Sequence, residues 1–138
     1  GQENIWDLVL TDPPYLAGAE RYTDDDRCLG NIKDQDLFLE RMELCLVNLK
    51  RLIKPSNWDK KIFHPIVIKT GSARRGKEGL VEMCTPIENL AKQHGLVLHD
   101  KVINVLNSHW GLFNVRRCMD YRYGVKKHET NLVFLKYD

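Results

Sequence analysis

Pro13 and Pro14 directly follow an apolar run, Ile5 to Leu10, and no other pair of residues limits the chain so tightly. Each proline fixes φ near about −65° and carries no N–H, so a ladder of strand hydrogen bonds cannot continue through them. The run before them is short and holds β-branched residues, which reads as a buried strand brought to a rigid stop by Asp12-Pro13-Pro14.

The rest of the chain alternates. Acidic, turn-like sequence leads to a helical stretch starting near Asp34 or Asp36, either of which can cap it. Phe38, Met42, Cys45, Leu49 and Leu52 share one face, Lys50, Arg51 and Lys54 suit the negative helix end, and the helix stops before Pro55. Ile62 to Lys69 reads as a second strand with Pro65 near its beginning, followed by a flexible basic loop, "TGSARRGKEG". Leu80, Met83, Ile87, Leu90, Ala91 and His94 keep helical phase. Thr85-Pro86-Ile87-Glu88 resembles a capping box, so the helix either kinks at Pro86 or begins there, and Gly95 ends it. Leu96 to Leu106 and Thr130 to Tyr137 read as third and fourth strands. Strands separated by helices imply right-handed crossovers and a parallel, Rossmann-like sheet, expected with helices on both faces. The last two strands lack a helix between them, so they form a C-terminal antiparallel hairpin. One α/β domain spans residues 1–138.

With 138 residues, 43% of them hydrophobic, and no long apolar run, the sequence excludes a membrane-spanning helix. No secretion signal opens it, which implies a cytoplasmic protein, and the absent initiator Met suggests a processed or excised chain. Cys28, Cys45, Cys84 and Cys118 are widely spaced and read as reduced, mostly buried thiols; the five histidines lack ligand spacing, so no metal is expected. Charge is uneven: residues 1 to 40 hold ten acids against three bases, net −7, and the remainder carries +9. A polyanion would be drawn to the later part.

Asp12 to Tyr15 lies where ligands collect in open α/β sheets, at the carboxyl end of a strand. Two prolines leave an acceptor-only surface of carbonyls and the Asp12 carboxylate, suited to a substrate that donates hydrogen bonds. The amino group of a nucleobase is such a donor, but its lone pair is delocalised into the ring. Acceptors on both N–H bonds, the Asp12 carboxylate and the Pro13 carbonyl, would localise that pair, while the Tyr15 ring stacks on the base. The nitrogen would then attack an electrophilic methyl group.

"DPPY", Asp12-Pro13-Pro14-Tyr15, following an apolar strand, resembles the catalytic motif of the S-adenosylmethionine-dependent DNA amino-methyltransferases. "LGN" at Leu29 to Asn31, a helix ending "RLIKP", the strand "PIVIK" and "HETNLVFLKY" at His128 to Tyr137 resemble their counterparts in bacterial adenine and cytosine-amino methylases, so the likeness spans residues 5 to 137. It implies a Rossmann-like methyltransferase sheet, S-adenosylmethionine as cofactor and DNA as partner. An acid at position 12 tilts the substrate toward adenine, with cytosine open. An RNA guanine amino-methyltransferase and a catalytically incomplete nucleic-acid-binding remnant are the alternatives. The family's glycine-containing cofactor turn, an F-x-G-x-G-like pattern, is missing here, and "TGSARRGKEG" is too basic and irregular to replace it. The chain therefore resembles the catalytic half of that fold. Without the other half, the strand Ile5 to Leu10 changes from central to edge, which implies a homo-oligomer or a partner supplying the cofactor half.

Asn107 to Lys127 interleaves aromatic rings with cations. From it, Trp110, Arg116, Arg117, Tyr121, Arg122, Lys126 and Lys127 are candidate nucleic-acid contacts, cations for phosphates and rings for unstacked bases. Arg74 and Arg75 of the other basic loop extend the same track.

Overall fold

A computed structural model describes residues 2–14, 23, 25, 27–74, 79–105 and 128–138, with side chains for all of these except 73, 74 and 128. Its elements, in chain order, are β1 (Val9–Thr11), a 3-10 turn (Leu29–Asn31), α1 (Gln35–Leu52), β2 (Pro65–Thr70), β3 (Ala73–Arg74), β4 (Leu80–Val81), α2 (Cys84–Gln93), β5 (Val97–Val105) and β6 (His128–Leu135).

β1 is shorter and later than the apolar run suggests. The N–H groups of Asn4, Ile5 and Trp6 donate to the carbonyls of Arg51 and Leu52 at 2.8 to 3.0 Å, and Lys54 N–H returns to the Trp6 carbonyl at 2.9 Å. The first half of the run thus pairs with the chain leaving α1, because those helix-end carbonyls have no intrahelical donor. Lys136 completes the same end: its ammonium donates to the Lys50 and Ile53 carbonyls at 3.1 and 3.2 Å.

α1 starts where its cap dictates. The Asp34 side chain accepts from Leu37 N–H at 2.8 Å, and Pro55 follows the last turn. Its buried residues are Phe38, Met42 and Leu46, whereas Cys45, expected inside, is exposed. Just past the end of α2, His94 Nε2 meets Glu43 Oε1 of α1 at 2.6 Å. Of the other thiols, Cys28 and Cys84 are half-buried and Cys118 lies outside the described residues.

The four-stranded sheet runs β1-β2-β6-β5. β1 is parallel to β2, and β6 is antiparallel to both β2 and β5, so the expected C-terminal hairpin is present and inserts its second strand beside β2. The helices are placed differently from the expectation of two covered faces. From β1 to β2 to β5 the parallel strands advance in one direction, and right-handed crossovers then put both helices on one side. Phe38, Met42 and Leu46 of α1 and Ile87 and Ala91 of α2 join one core with Val9, Ile66, Ile68, Leu132 and Phe134 of the sheet. On the other face Leu10 is 73% exposed, and β1 is an edge strand among the described residues.

Part of "TGSARRGKEG" is structured rather than loop: β3 and β4 pair antiparallel, Ala73 with Val81 and Arg74 with Leu80. α2 begins two residues before Pro86, which its first turn tolerates; its N-cap is Met83, and Glu82, just ahead of it, takes the part expected of the Thr85–Glu88 box. The Glu82 carboxylate accepts from Cys84 N–H at 2.6 Å and Thr85 N–H at 3.0 Å. Gly95, at φ +73°, turns the chain out of the helix.

Burial acts to raise the Glu82 carboxyl, but the bonds from Thr85 and Cys84 outweigh it and hold the group below its ordinary 4.5. A depressed carboxyl contributes stability above that ordinary value and loses it as pH falls through the lower folded value. Glu82→Ala is expected to cost about 1 kcal/mol at pH 7. The difference from wild type should shrink once the pH falls well below 4.5 and the wild-type cap protonates, as measured by urea denaturation across pH.

Candidate active site

Asp12, Pro13 and Pro14 follow β1 at its carboxyl end, next to the sheet's open edge. The position follows from three parallel pairs, Val9 with Ile66, Leu10 with Val67 and Thr11 with Ile68, after which the prolines end the ladder. Side chains alternate across a strand, so with Ile66, Ile68 and Thr70 buried on the helix side, Lys69 projects to the opposite face. There its ammonium lies 3.2 Å from Asp12 Oδ2 and 2.9 Å from Glu129 Oε2 of β6. Side-chain exposure falls from 56% at Asp12 through 32% at Lys69 to 14% at Glu129.

Glu129, and after it Asp12, hold the Lys69 ammonium above its ordinary value against the effect of burial. A raised lysine contributes its stabilisation fully below 10.5 and loses it only above that, so the three groups stay joined across the neutral range. Neither Lys69 nor Glu129 is marked by the tetrapeptide, although both lie in stretches, "PIVIK" and "HETN", that carry the family resemblance. An acid following a strand and a lysine ending the neighbouring parallel strand were the only available signal.

Beside β1, ahead of Asp12, Ile5 to Leu10 line an open hollow of about 510 Å³. It follows the edge of β1 that no described strand pairs, with Leu8 57% exposed. Tyr15 lies outside the described residues, as do Arg75, Trp110, Arg116, Arg117, Tyr121, Arg122, Lys126 and Lys127. Arg74 is described only by its backbone, in β3.

Comparison with known structures assigns the architecture. A Thermus thermophilus protein assigned as a DNA modification methylase superposes with a TM-score of 0.63 at 18% identity, over 100% of this chain and 47% of that one. Its complex with S-adenosyl-L-methionine gives 0.62 at 21% identity, over 100% and 48%. PvuII DNA methyltransferase, cytosine-N4-specific, gives 0.60 at 18% identity, over 97% and 43%. No family model and no curated protein matches the sequence. The fold is thus the α/β methyltransferase fold seen in DNA modification methylases. This chain spans about half the length of the structures it matches.

The described residues do not fit a cofactor cradle. Gly71 directly follows β2, but it is buried and leads through Ser72 into β3.

Among the described residues Asp12 makes only an exposed contact, so Asp12→Ala is expected to move the unfolding free energy by no more than about 0.5 kcal/mol. Leu46→Ala, which empties a fully buried position, is expected to cost about 2–5 kcal/mol in the same urea titration.

Proposed function

We propose that this chain is the catalytic portion of a DNA amino-methyltransferase that acts on the exocyclic amino group of adenine. The observation that carries the reading is the Asp12 carboxylate at the carboxyl end of β1, beside the open edge of a sheet shared with DNA modification methylases. Asp12 and the Pro13 carbonyl accept the two amino N–H bonds, and Pro14 keeps the turn rigid. Tyr15 stacks on a base flipped out of the duplex, because a stacked base does not present its amino group to a strand end. Trp110 and Tyr121 hold neighbouring bases, while Arg74, Arg75, Arg116, Arg117, Arg122, Lys126 and Lys127 take phosphates. S-adenosylmethionine supplies the methyl group and is bound by residues other than the described ones.

The edge of β1 supports the last point. Ligands in open α/β sheets bind where the strand order reverses, and β1 to β5 advance one way only. Strands added at the free side of β1 would reverse the order, cover the second sheet face and complete the site at Asp12. They belong either to the same polypeptide or to a partner chain. The 138 residues alone are expected to bind S-adenosylmethionine weakly in calorimetric titration and to self-associate in light scattering through the exposed Leu8 and Leu10. Tight cofactor binding by a monomer would overturn this.

In the protein assayed for methyl transfer to duplex DNA, Asp12→Ala is expected to lower the rate about a hundredfold or more. Tyr15→Ala should lose more than Tyr15→Phe, since the ring face and not the hydroxyl is used. Transfer to structured RNA in place of DNA would favour a guanine amino-methyltransferase, and salt-dependent DNA binding without transfer would favour a binding remnant.

A further inference from the structure

Asp12 is held from behind. Its contact to Lys69 is the outer half of a three-group chain whose inner half, Lys69 to Glu129, is shorter and better buried. A charged pair gains strength as its length and exposure fall, so Glu129 fixes where the ammonium sits, and the ammonium in turn fixes Asp12 Oδ2. Each member comes from a different strand, β1, β2 and β6, whose mutual register is set by the sheet. The orientation of Asp12 matters for an amino nitrogen acting as nucleophile. As its lone pair forms the bond to a methyl carbon, the carbon–sulfur bond of a sulfonium donor breaks with its electron pair passing to sulfur. The nitrogen is then cationic until one of its protons passes to solvent. A carboxylate already oriented toward the nitrogen favours this cation.

We propose that Lys69 and Glu129 are positioning residues for methyl transfer: Glu129 anchors the Lys69 ammonium, and Lys69 orients the Asp12 carboxylate. The role rests on the methyl-transfer reading of Asp12. A carboxylate offers about four acceptor directions, so Asp12 can bind Lys69 through Oδ2 and still accept an amino N–H. The raised titration of Lys69 agrees with an ammonium shared by two anions.

Two measurements on the intact protein separate this role from the reading beneath it. The first is independent of activity: nitrogen-15 NMR of lysine ammonium groups should show Lys69 as a slowly exchanging signal that shifts in both Glu129→Gln and Asp12→Asn. A Lys69 signal that exchanges like a free surface lysine would overturn the trio. The second is steady-state transfer from S-adenosylmethionine to duplex DNA. Glu129→Gln, which keeps the shape but neutralises the anchor, is expected to lower kcat about tenfold with KM for DNA within about twofold, because positioning acts on the reacting geometry. Lys69→Met is expected to lower kcat by about tenfold to a hundredfold, and Lys69→Arg to recover most of that loss, since a guanidinium also bridges two carboxylates. Should Lys69→Met fail to fold, Glu129→Gln and Lys69→Arg still decide. An active wild type with unchanged kcat in Glu129→Gln overturns the role alone, whereas no transfer by wild type overturns the methyl-transfer reading and the role with it.

Discussion

Three parallel residue pairs between β1 and β2 hold the candidate site together. They set Thr11 beside Ile68, so that the next residue on one strand, Asp12, meets the next on the other, Lys69. A register slip of one residue would send Lys69 into the helix-covered core and Asp12 away from it, because side chains alternate faces. The core secures that register. Ile66 and Ile68 are fully buried against both helices, and their β6 partners Phe134 and Leu132 are buried equally. Burial of these apolar side chains therefore fixes the position of a polar group on the opposite face.

The direction of the crossovers determines the rest of the architecture. Because the parallel strands advance one way from β1, both helices fall on one side, and the opposite face presents half-buried Val67 and Val133 and exposed Leu10 and Val102. The same geometry leaves β1 as the place where a doubly wound sheet would turn back. Among the described residues, the edge of the sheet, the face opposite the helices and the Asp-Pro-Pro turn thus meet at one point.

Much of this was legible in the sequence. Asp34 as a helix cap, Pro55 as a stop, Gly95 as an exit and the antiparallel final pair were readable because each depends on local chemistry or on loop length. The number of covered faces was not. It depends on strand order, which the alternation of strands and helices leaves open. Cys45 fits a helical stripe by its spacing, yet the buried stripe of α1 runs through Phe38, Met42 and Leu46 and leaves Cys45 exposed. The end of Ile5 to Leu10 was readable and its beginning was not, since nothing local shows that Trp6 would pair with the end of α1. Asp12 was marked by its prolines, whereas Lys69 and Glu129 became visible only once three strands were placed in register.

In the proposed function the strand-end carboxylate orients the amino group of a base for methylation. Its most direct test is mass spectrometry of nucleosides from duplex DNA incubated with the intact protein and isotopically labelled S-adenosylmethionine. The expected product is adenine carrying the label on its exocyclic nitrogen. Recovery of DNA without any labelled base, while RNA guanine takes up the label, would contradict it.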